Sequence, residues 1–400
     1  MKKISILIFA LTAFASYSFS QNNWVQKASL SATGRGFAVA FSLNDMGYIG
    51  SGVTGVSLDD FWEYDPADNT WRQVASIPSV RHYAYSFVIG DFAFVGGGIN
   101  GTQSTSPISS FHKYDPSKNK WTAIKSLTKG LFGGRAFASG GKGYIVMGYN
   151  GTAYVKNFFE YDPNNDSWTQ KTNFPGTARL NCSSFSIGNN SYVGLGFDGA
   201  TYFDDFYCYN SDSDTWHQIN SFPGGGVTAA TAFSAGGKGY VGGGYDGADD
   251  LKGFYEYNSA NDTWTIKKSY EGNAFRGGVA VTIKDKGYMG LGYFGTGPSM
   301  YDEWFMYEAG TNVGTNSIRQ NLGISLFPNP AAGYCILNLC NPHHSTSRIA
   351  LVNMSGQVIL TKNISLESTK IQLDGIQTGN YVVQVWDGIR LLDQQKIVKQ

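Results

Sequence analysis

The sequence predicts an all-β protein: a six-bladed β-propeller closed by its N-terminal strand, followed by a small C-terminal β-sandwich. Three observations support this fold class. Aromatic residues make up 15% of the 400 residues, and 51 glycines accompany only 15% charged residues, a composition typical of many short strands joined by tight turns. Tryptophan and tyrosine recur with a period near 50 residues. The last part of the chain keeps strand-like patterns but lacks that repeat.

The chain begins with the pattern of a secretory signal peptide. Lys2 and Lys3 precede the apolar run ISILIFALTAFA, and Ser18-Phe19-Ser20 is a small-x-small cleavage motif before Gln21. There is no lipobox cysteine at the cleavage point. No later segment has the roughly twenty apolar residues of a membrane span. We therefore predict that residues 1–20 are a signal peptide and that the mature chain is exported, with no membrane span.

The repeat is defined by six tryptophans and six tyrosines. The tryptophans are spaced by 47, 50, 47, 48 and 48 residues, at Trp24, Trp71, Trp121, Trp168, Trp216 and Trp264. The tyrosines are spaced by 50, 47, 48, 48 and 50 residues, at Tyr64, Tyr114, Tyr161, Tyr209, Tyr257 and Tyr307. A period near 50 residues with four strand-like pieces in each unit is typical of a β-propeller blade.

One unit illustrates the four strands. RGFAVAFSL from Arg35 is the predicted first strand, GYIGSG from Gly47 the second and FWEYDP from Phe61 the third. In the turn from Asp65, proline holds the second position, where its fixed φ fits. Trp71 opens the fourth strand.

These features resemble the kelch repeat, which has an arginine at the start, a glycine pair after the second strand, Tyr-Asp-Pro, and tryptophan shortly after. The resemblance covers residues 22 to about 310 and implies a propeller. Proline is missing from the turns at Asn210, Asn258 and Glu308. The sixth unit reaches Tyr307 and has no tryptophan after it, whereas Trp24 begins a fourth strand that has no blade. Pairing the two would close the ring and remove two exposed sheet edges, so we predict a propeller over residues 21–310.

A polar linker, residues 311–322, precedes the predicted sandwich, residues 323–400. This tail resembles the type A C-terminal sorting domain of the type IX secretion system. The matching features are Pro328-Asn329-Pro330, the Ser355-Gly356 turn, Gly379-Asn380-Tyr381 and the final Lys396-Ile397-Val398-Lys399. The resemblance implies the type IX machinery as a partner and a secreted or outer-surface location. The alternative is an ordinary adhesive sandwich module.

The net charge argues against one class of partner, and the cysteine positions argue against disulfide bonds. The formal net charge is zero, which removes the electrostatic case for nucleic acid. Cys182 and Cys208 fall on the first and third strands of one repeat, too far apart for a disulfide. Cys335 and Cys340 differ by an odd offset and point to opposite faces of a strand. We expect all four thiols to be free and mostly buried.

Propeller topology gathers the candidate site on one face. The loop between the second and third strands and the loop leading into the next first strand lie on the same face, which we call the loop face. Arg35, Arg81 and Arg179 stand thirteen residues before the second-strand aromatic; Arg276 is one residue out of that register, and Arg135 is four residues further in. Acidic pairs follow on the same face, at Asp59/Asp60, Asp204/Asp205, Asp249/Asp250 and Asp302/Glu303.

The loops between second and third strands, such as GYNGTAYVKN from Gly148 and GYDGADDLKG from Gly244, add exposed aromatic residues and Asn-Gly or Asp-Gly pairs. This combination of arginine, carboxylate and aromatic rings suits an extracellular glycan or protein partner. We therefore predict ligand binding by Arg35, Arg81, Arg179, Arg276 and the eight acidic residues. The alternative is that these arginines form salt bridges within the fold and that the Asn-Gly and Asp-Gly pairs only make turns.

Enzymatic interpretations are weaker. A galactose-oxidase-like copper site needs two histidines with tyrosine ligands, but His82, His112 and His217 fall on different blades. A mutarotase of the sialic-acid type is also a kelch propeller, and Arg81, His82 and the acidic pairs would have to supply its acid and base groups. A calcium site at Asn210, Asp212 and Asp214 lacks the glycine and distal glutamate of the familiar loop. We predict no metal, no cofactor and no catalytic residue, and favour a binding protein over an enzyme.

Overall fold

The structure is a computed structural model that describes residues 23–102, 104–295, 299–309, 324–339, 347–353, 358–364, 368–387 and 390–400. The signal-peptide residues, the 311–322 linker, Cys340 and the Ser355-Gly356 turn fall outside these ranges. The chain forms two compact units, Met1–Thr311 and Asn312–Gln400. No helix among the described residues has the length and apolarity to cross a membrane.

The described part of the first unit is built from short strands. In chain order these are β1 (Asn23–Lys27), β2 (Val39–Leu43), β3 (Met46–Gly50), β4 (Phe61–Asp65), β5 (Thr70–Val74), β6 (Tyr85–Ile89), β7 (Phe92–Gly96), β8 (Phe111–Asp115), β9 (Lys120–Ile124), β10 (Arg135–Ser139), β11 (Lys142–Tyr149), β12 (Tyr154–Asp162), β13 (Ser167–Gln170), β14 (Ser183–Ile187), β15 (Asn190–Gly194), β16 (Phe206–Asn210), β17 (Thr215–Ile219), β18 (Thr231–Ala235), β19 (Lys238–Gly242), β20 (Phe254–Asn258), β21 (Thr263–Ile266), β22 (Val279–Ile283), β23 (Lys286–Gly290) and β24 (Trp304–Glu308).

These strands form six four-stranded antiparallel sheets within the described residues. Five of them use consecutive strands, from β2–β5 to β18–β21, and the sixth has the order β1-β24-β23-β22. Trp24 is paired with Tyr307 in that sheet, so the N-terminal strand supplies the missing fourth strand. The innermost strands β2, β6, β10, β14, β18 and β22 contact one another in a closed ring. The predicted all-β propeller class is confirmed.

The cores lie between neighbouring sheets because side chains alternate in direction along the inner strands. The residues of these strands that face away from the axis are buried and mostly aromatic, at Phe41, Phe87, Phe137, Phe185, Phe233 and Val281. Phe41 and Tyr48 of one sheet, for example, pack against Tyr114 and Trp121 of the next. The alternate residues are small, at Ala40, Ser86, Ala136, Ser184, Ala232 and Ala280, and they line the axis.

The predicted start of the first strand needs a correction. The sequence placed it at Arg35, whereas β2 begins at Val39. The reason is that Phe37 has a φ of 50°, which is left-handed backbone that a β-strand does not use. Residues 35–37 belong instead to the loop face, where Gly36 pairs with Val53.

The second unit contains two sheets. Its strands are β25 (Ile324–Phe327), β26 (Tyr334–Leu339), β27 (Ser347–Asn353), β28 (Val358–Ile364), β29 (Ser368–Gln372), β30 (Gly379–Asp387) and β31 (Arg390–Lys399). The sheet orders are β25-β26-β29 and β28-β27-β30-β31, and both sheets contribute to one buried core that includes Leu337, Leu351 and Val383.

Two of the sequence features that mark the tail lie together. Asn329, between the two prolines, donates from Nδ2 to the Lys396 carbonyl and accepts the Val398 N–H at Oδ1, both at 2.9 Å. The Pro-Asn-Pro segment is therefore tied to the terminal strand.

Candidate functional site

Arg35, Arg81 and Arg179 occupy equivalent positions, as their common spacing predicted. Each donates from Nε to the carbonyl two residues earlier. Each also donates from Nη1 to the carbonyl sixteen residues later, at the end of the second strand. All three side chains are fully buried, so they connect the two loops of the loop face within each blade.

Two of these arginines form ion pairs within their own blades. Arg35 binds Asp60 through both Nη atoms, at 2.6 and 2.9 Å, and Arg179 binds Asp205 in the same bidentate way. Burial alone would raise the pKa of Asp60, but hydrogen bonds from Arg35 and Trp62 outweigh it and lower that pKa. These contacts match the intramolecular alternative that the sequence left open, and ligand binding by Arg35 and Arg179 stays a prediction.

Arg81 has no carboxylate partner among the described residues. Its guanidinium donates to the carbonyls of Ser79, Gly97 and Ser110 and to both of the corresponding serine hydroxyls. Burial lowers its pKa to about 10. The neighbouring His82 is also buried, with Nδ1 2.8 Å from the Ser57 hydroxyl, and burial lowers its pKa to about 4.

Arg276, one residue out of register, takes a different place. It pairs with Asp250 of the preceding blade, at 2.5 Å from Nε and 3.2 Å from Nη2. Its guanidinium lies over the Tyr245 ring at 3.6 Å and is 5.3 Å from the Tyr293 ring. This arginine therefore combines an ion pair with cation–π contacts.

The predicted acidic pairs divide into inward and outward members. Asp60, Asp205 and Asp250 are the arginine partners described above. Their neighbours Asp204 and Asp249 are exposed, and Asp59 is half-buried. In the fourth pair, Asp302 is exposed, whereas Glu303 accepts hydrogen bonds from the backbone N–H and the side-chain amide of Asn273.

A ring of six backbone hydrogen bonds surrounds the axis at the loop face. We call its members the axial ring: Phe37, Tyr83, Gly133, Asn181, Ala229 and Gly277. Each N–H donates to the carbonyl of the member in the preceding blade, with distances from 2.6 to 3.0 Å. All six have φ between 50° and 73°, so the same left-handed conformation recurs in every blade. This ring ties the blades together around the axis.

Aromatic side chains form an almost continuous band around that ring. We call this band the aromatic arc: Phe197, Tyr202, Tyr245, Tyr293, Phe37, Tyr83, Phe132, Tyr149 and Tyr154. Successive ring centroids lie 3.9 to 5.9 Å apart, except between Tyr245 and Tyr293, where Arg276 lies near both rings. All members except Phe132 are half-buried, so their rings keep exposed area at the loop face.

Sequence reasoning noted aromatic loops but missed the contribution of Phe37 and Tyr83. Both stand two residues after an equivalent arginine, in Arg35-Gly36-Phe37 and Arg81-His82-Tyr83. Their rings stack at 3.9 Å. The signal was therefore present as an Arg-x-aromatic pattern, but the strand assigned to those residues hid it.

The described residues contain no group of three His, Cys, Asp or Glu side chains arranged to hold a metal ion. Cys182, Cys208 and Cys335 are free and buried, as predicted for them. Burial raises the pKa of each of the three thiols to about 11, so none is a ready nucleophile.

Comparisons with known proteins agree with this architecture. Residues 47–78, 94–128 and 179–223 match the kelch motif, and residues 325–400 match the secretion system C-terminal sorting domain. No curated protein matches the chain.

The chain is similar to a solved structure described as "Structure of YjhT", with 16% identity and a TM-score of 0.60, over 69% of this chain and 95% of that chain. At this identity the likeness concerns the fold alone. The chain therefore folds as a kelch-type β-propeller and carries a type IX C-terminal sorting domain, which makes it a secreted or cell-surface protein.

Proposed function

We propose that this exported protein binds an extracellular partner at the loop face of its propeller, and that the chemistry of the face favours a carbohydrate over a protein. The observation that carries the proposal is the aromatic arc. Half-buried rings held rigidly around an axis offer flat apolar surfaces at little entropic cost, and sugar rings have apolar faces that pack on such surfaces.

Hydrogen-bonding groups accompany the aromatic rings. Asp198 and Asp246 directly follow Phe197 and Tyr245, and backbone N–H donors hold the pKa of both carboxyls below the usual range. Burial raises the pKa of Tyr293, so this half-buried phenol stays protonated and can donate. Carboxylate acceptors beside phenol donors suit the hydroxyl groups of a sugar.

Tyr245 and Tyr293 are central to the proposal because they flank Arg276. An acidic sugar would place its carboxylate near that guanidinium, whose Nε and Nη2 bind Asp250 and whose Nη1 is left to donate to the sugar. The exposed carboxylates of Asp249 and Asp204 would repel an anionic ligand and so limit which acidic sugars can bind. We therefore expect selectivity among glycans and not general binding to anions.

A glycan array probed with the mature chain tests the proposal. We expect selective binding, and we expect Tyr245→Ala and Tyr293→Ala each to weaken it by about tenfold, equivalent to about 1.4 kcal/mol. Phe92→Ala is the matched control, since Phe92 lies at the β6–β7 turn on the opposite face. If all three variants bound glycans equally well, the loop face would be excluded as the glycan-binding site.

The array also separates the alternatives. A protein partner predicts no glycan signal and capture of a partner that the Tyr245→Ala variant fails to capture. The mutarotase alternative predicts that the protein accelerates anomer exchange of the sugars it binds. An anomer ratio that changes at the buffer rate would exclude that alternative.

A further inference from the structure

The axis of the propeller contains a cavity of about 170 Å³ directly beneath the axial ring. Its walls are mostly alanine, serine, glycine and valine, and they come from all six inner strands. A wider space continues from this cavity along the axis. It lies between residues further along the same strands, including Ser42, Ser186, Ser234 and Thr282. No acidic residue lines either space.

One charged side chain enters this cavity. Arg135 is the first residue of β10, and the matching positions on the other inner strands hold Val39, Tyr85, Ser183, Thr231 and Val279. It is the arginine that the sequence places four residues further in than its counterparts. The Arg135 guanidinium crosses toward the β18 side of the axis, where Nη2 is 3.5 Å from the Ala230 carbonyl.

The protein offers the Arg135 guanidinium only weak hydrogen bonds. Its two hydrogen bonds, to the Gly134 and Ala230 carbonyls, are long at 3.4 and 3.5 Å, and good N–H···O bonds lie between about 2.7 and 3.2 Å. The Ala230 carbonyl already accepts the Ser183 hydroxyl at 2.8 Å. Arg135 forms no ion pair with any described residue, unlike Arg35, Arg179 and Arg276.

An arginine in this position remains charged, although burial lowers its pKa. A half-buried charge without an ion-pair partner carries a desolvation cost unless something compensates it. A cavity of comparable size holds a benzene-sized guest in another protein, so there is room for an anion of a few heavy atoms. The hydroxyl groups of Ser184 and Thr231 add donors to the same walls, whereas the Ser86 hydroxyl already donates to the Ala40 carbonyl at 3.0 Å.

We propose that the axial cavity is a binding site for a small oxyanion of the sulfate, phosphate or carboxylate type, held by the Arg135 guanidinium. Entry would be from the face opposite the loop face, where the wider space adjoins the cavity. The site is independent of the aromatic arc and of the function proposed for it.

Calorimetric titration of the mature chain with sodium sulfate, and separately with sodium acetate, tests this site, with sodium chloride as the ionic-strength reference. We expect one anion per chain, and a Kd at least tenfold weaker for Arg135→Gln. Arg72→Gln is the matched control, since Arg72 is an exposed arginine on an outer strand. Tighter binding of sulfate than of acetate would indicate that the natural ligand is phosphate-like. Tighter binding of acetate would indicate a carboxylate ligand.

Two further variants keep the test decisive should Arg135→Gln fold poorly. Arg135→Lys retains the charge but not the fork, and we expect it to weaken binding. Ala232→Leu fills the channel while leaving Arg135 in place, and we expect it to abolish binding. Undetectable binding of both anions to the wild type at a Kd limit of about 10 mM, or binding unchanged by Ala232→Leu, would overturn the proposal.

Discussion

At the residue scale, burial separates the side chains that hold the loop face together from those that can meet a partner. Arg35, Arg81 and Arg179 are enclosed, whereas Asp204 and Asp249 point to solvent. Breaking a buried ion pair leaves an uncompensated charge and typically costs 3–5 kcal/mol. A loss of binding after mutation of Arg179 or Asp205 would therefore report folding as much as recognition, and the aromatic arc is the better target.

The buried His82 makes the stability of the propeller depend on pH. Its pKa is lowered to about 4 by burial, below the value near 6.5 of an unfolded histidine. Between pH 4 and pH 6.5 the unfolded state therefore binds more protons than the folded state. The free energy of unfolding is largest above pH 6.5 and falls as the pH drops toward 4. We expect His82→Gln to remove about 2 kcal/mol of the stability difference between pH 7 and pH 5.

Denaturant unfolding at the two pH values measures this effect. His217→Gln, at an exposed site on β17, is the control for the substitution itself. A His82→Gln variant that loses as much stability as the wild type on acidification would contradict the assignment.

At the scale of the element, four outer turns attach their blade to the preceding one through the same kind of hydrogen bonds, whereas at Asp214 the attachment is an ion pair with Lys171. Asn119 accepts the Tyr114 hydroxyl of its own blade and the Ala75 N–H of the previous blade, both at 2.8 Å. The Trp121 indole N–H donates to the Ala75 carbonyl at 2.8 Å. The equivalent residues are Asn69, Asp166, Asp214 and Asp262, and all five have φ between 46° and 56°, a conformation that Asn and Asp tolerate.

Substitution of Asn119 tests this attachment. Asn119→Ala removes two hydrogen bonds and places alanine in left-handed backbone, so we expect a loss of about 2 kcal/mol in unfolding free energy. Asn119→Asp introduces the residue found at Asp166, Asp214 and Asp262 and should stay within about 0.5 kcal/mol of the wild type. Similar losses of unfolding free energy in the two variants would show that the hydrogen bonds accepted by the side-chain oxygen do not provide the stabilisation.

At the scale of the whole molecule, the N-terminal strand completes the ring. Trp24 is buried against Phe254, Tyr270 and Tyr307, with ring centroids 4.7 to 5.1 Å away. Its indole N–H donates to the Lys268 carbonyl in the neighbouring blade at 3.2 Å. The first strand of the chain therefore contacts both of the last two blades.

A chain that starts at Ala28 lacks β1 and leaves β24 as an unpaired edge. Exposed edges invite pairing between molecules, so we expect this chain to self-associate and to unfold at lower denaturant concentration. Light scattering after size-exclusion chromatography measures the first effect. A monomeric chain with wild-type stability would show that closure by β1 is dispensable.

Much of the fold could be predicted from sequence because each blade repeats the same local chemistry. The Trp and Tyr spacings gave the six repeats, and the unmatched Trp24 and Tyr307 predicted which strands pair across the ends. The first strand was placed too early, since the φ of Phe37 is set by its hydrogen bond to Gly277 of another blade. Local pattern carries no information about such a contact.

The sequence by itself therefore determined the propeller, its closure, the sorting tail and the face on which the loops gather, because these follow from periodicity and from short turns. Only the tertiary structure decided that Arg35 and Arg179 are occupied by carboxylates, that Phe37 and Tyr83 join aromatic rings of distant loops, and that Arg135 stands alone in the axial cavity. The physical reason is that these properties depend on side-chain direction and on contacts between blades, where residues far apart in sequence meet and compete for the same space.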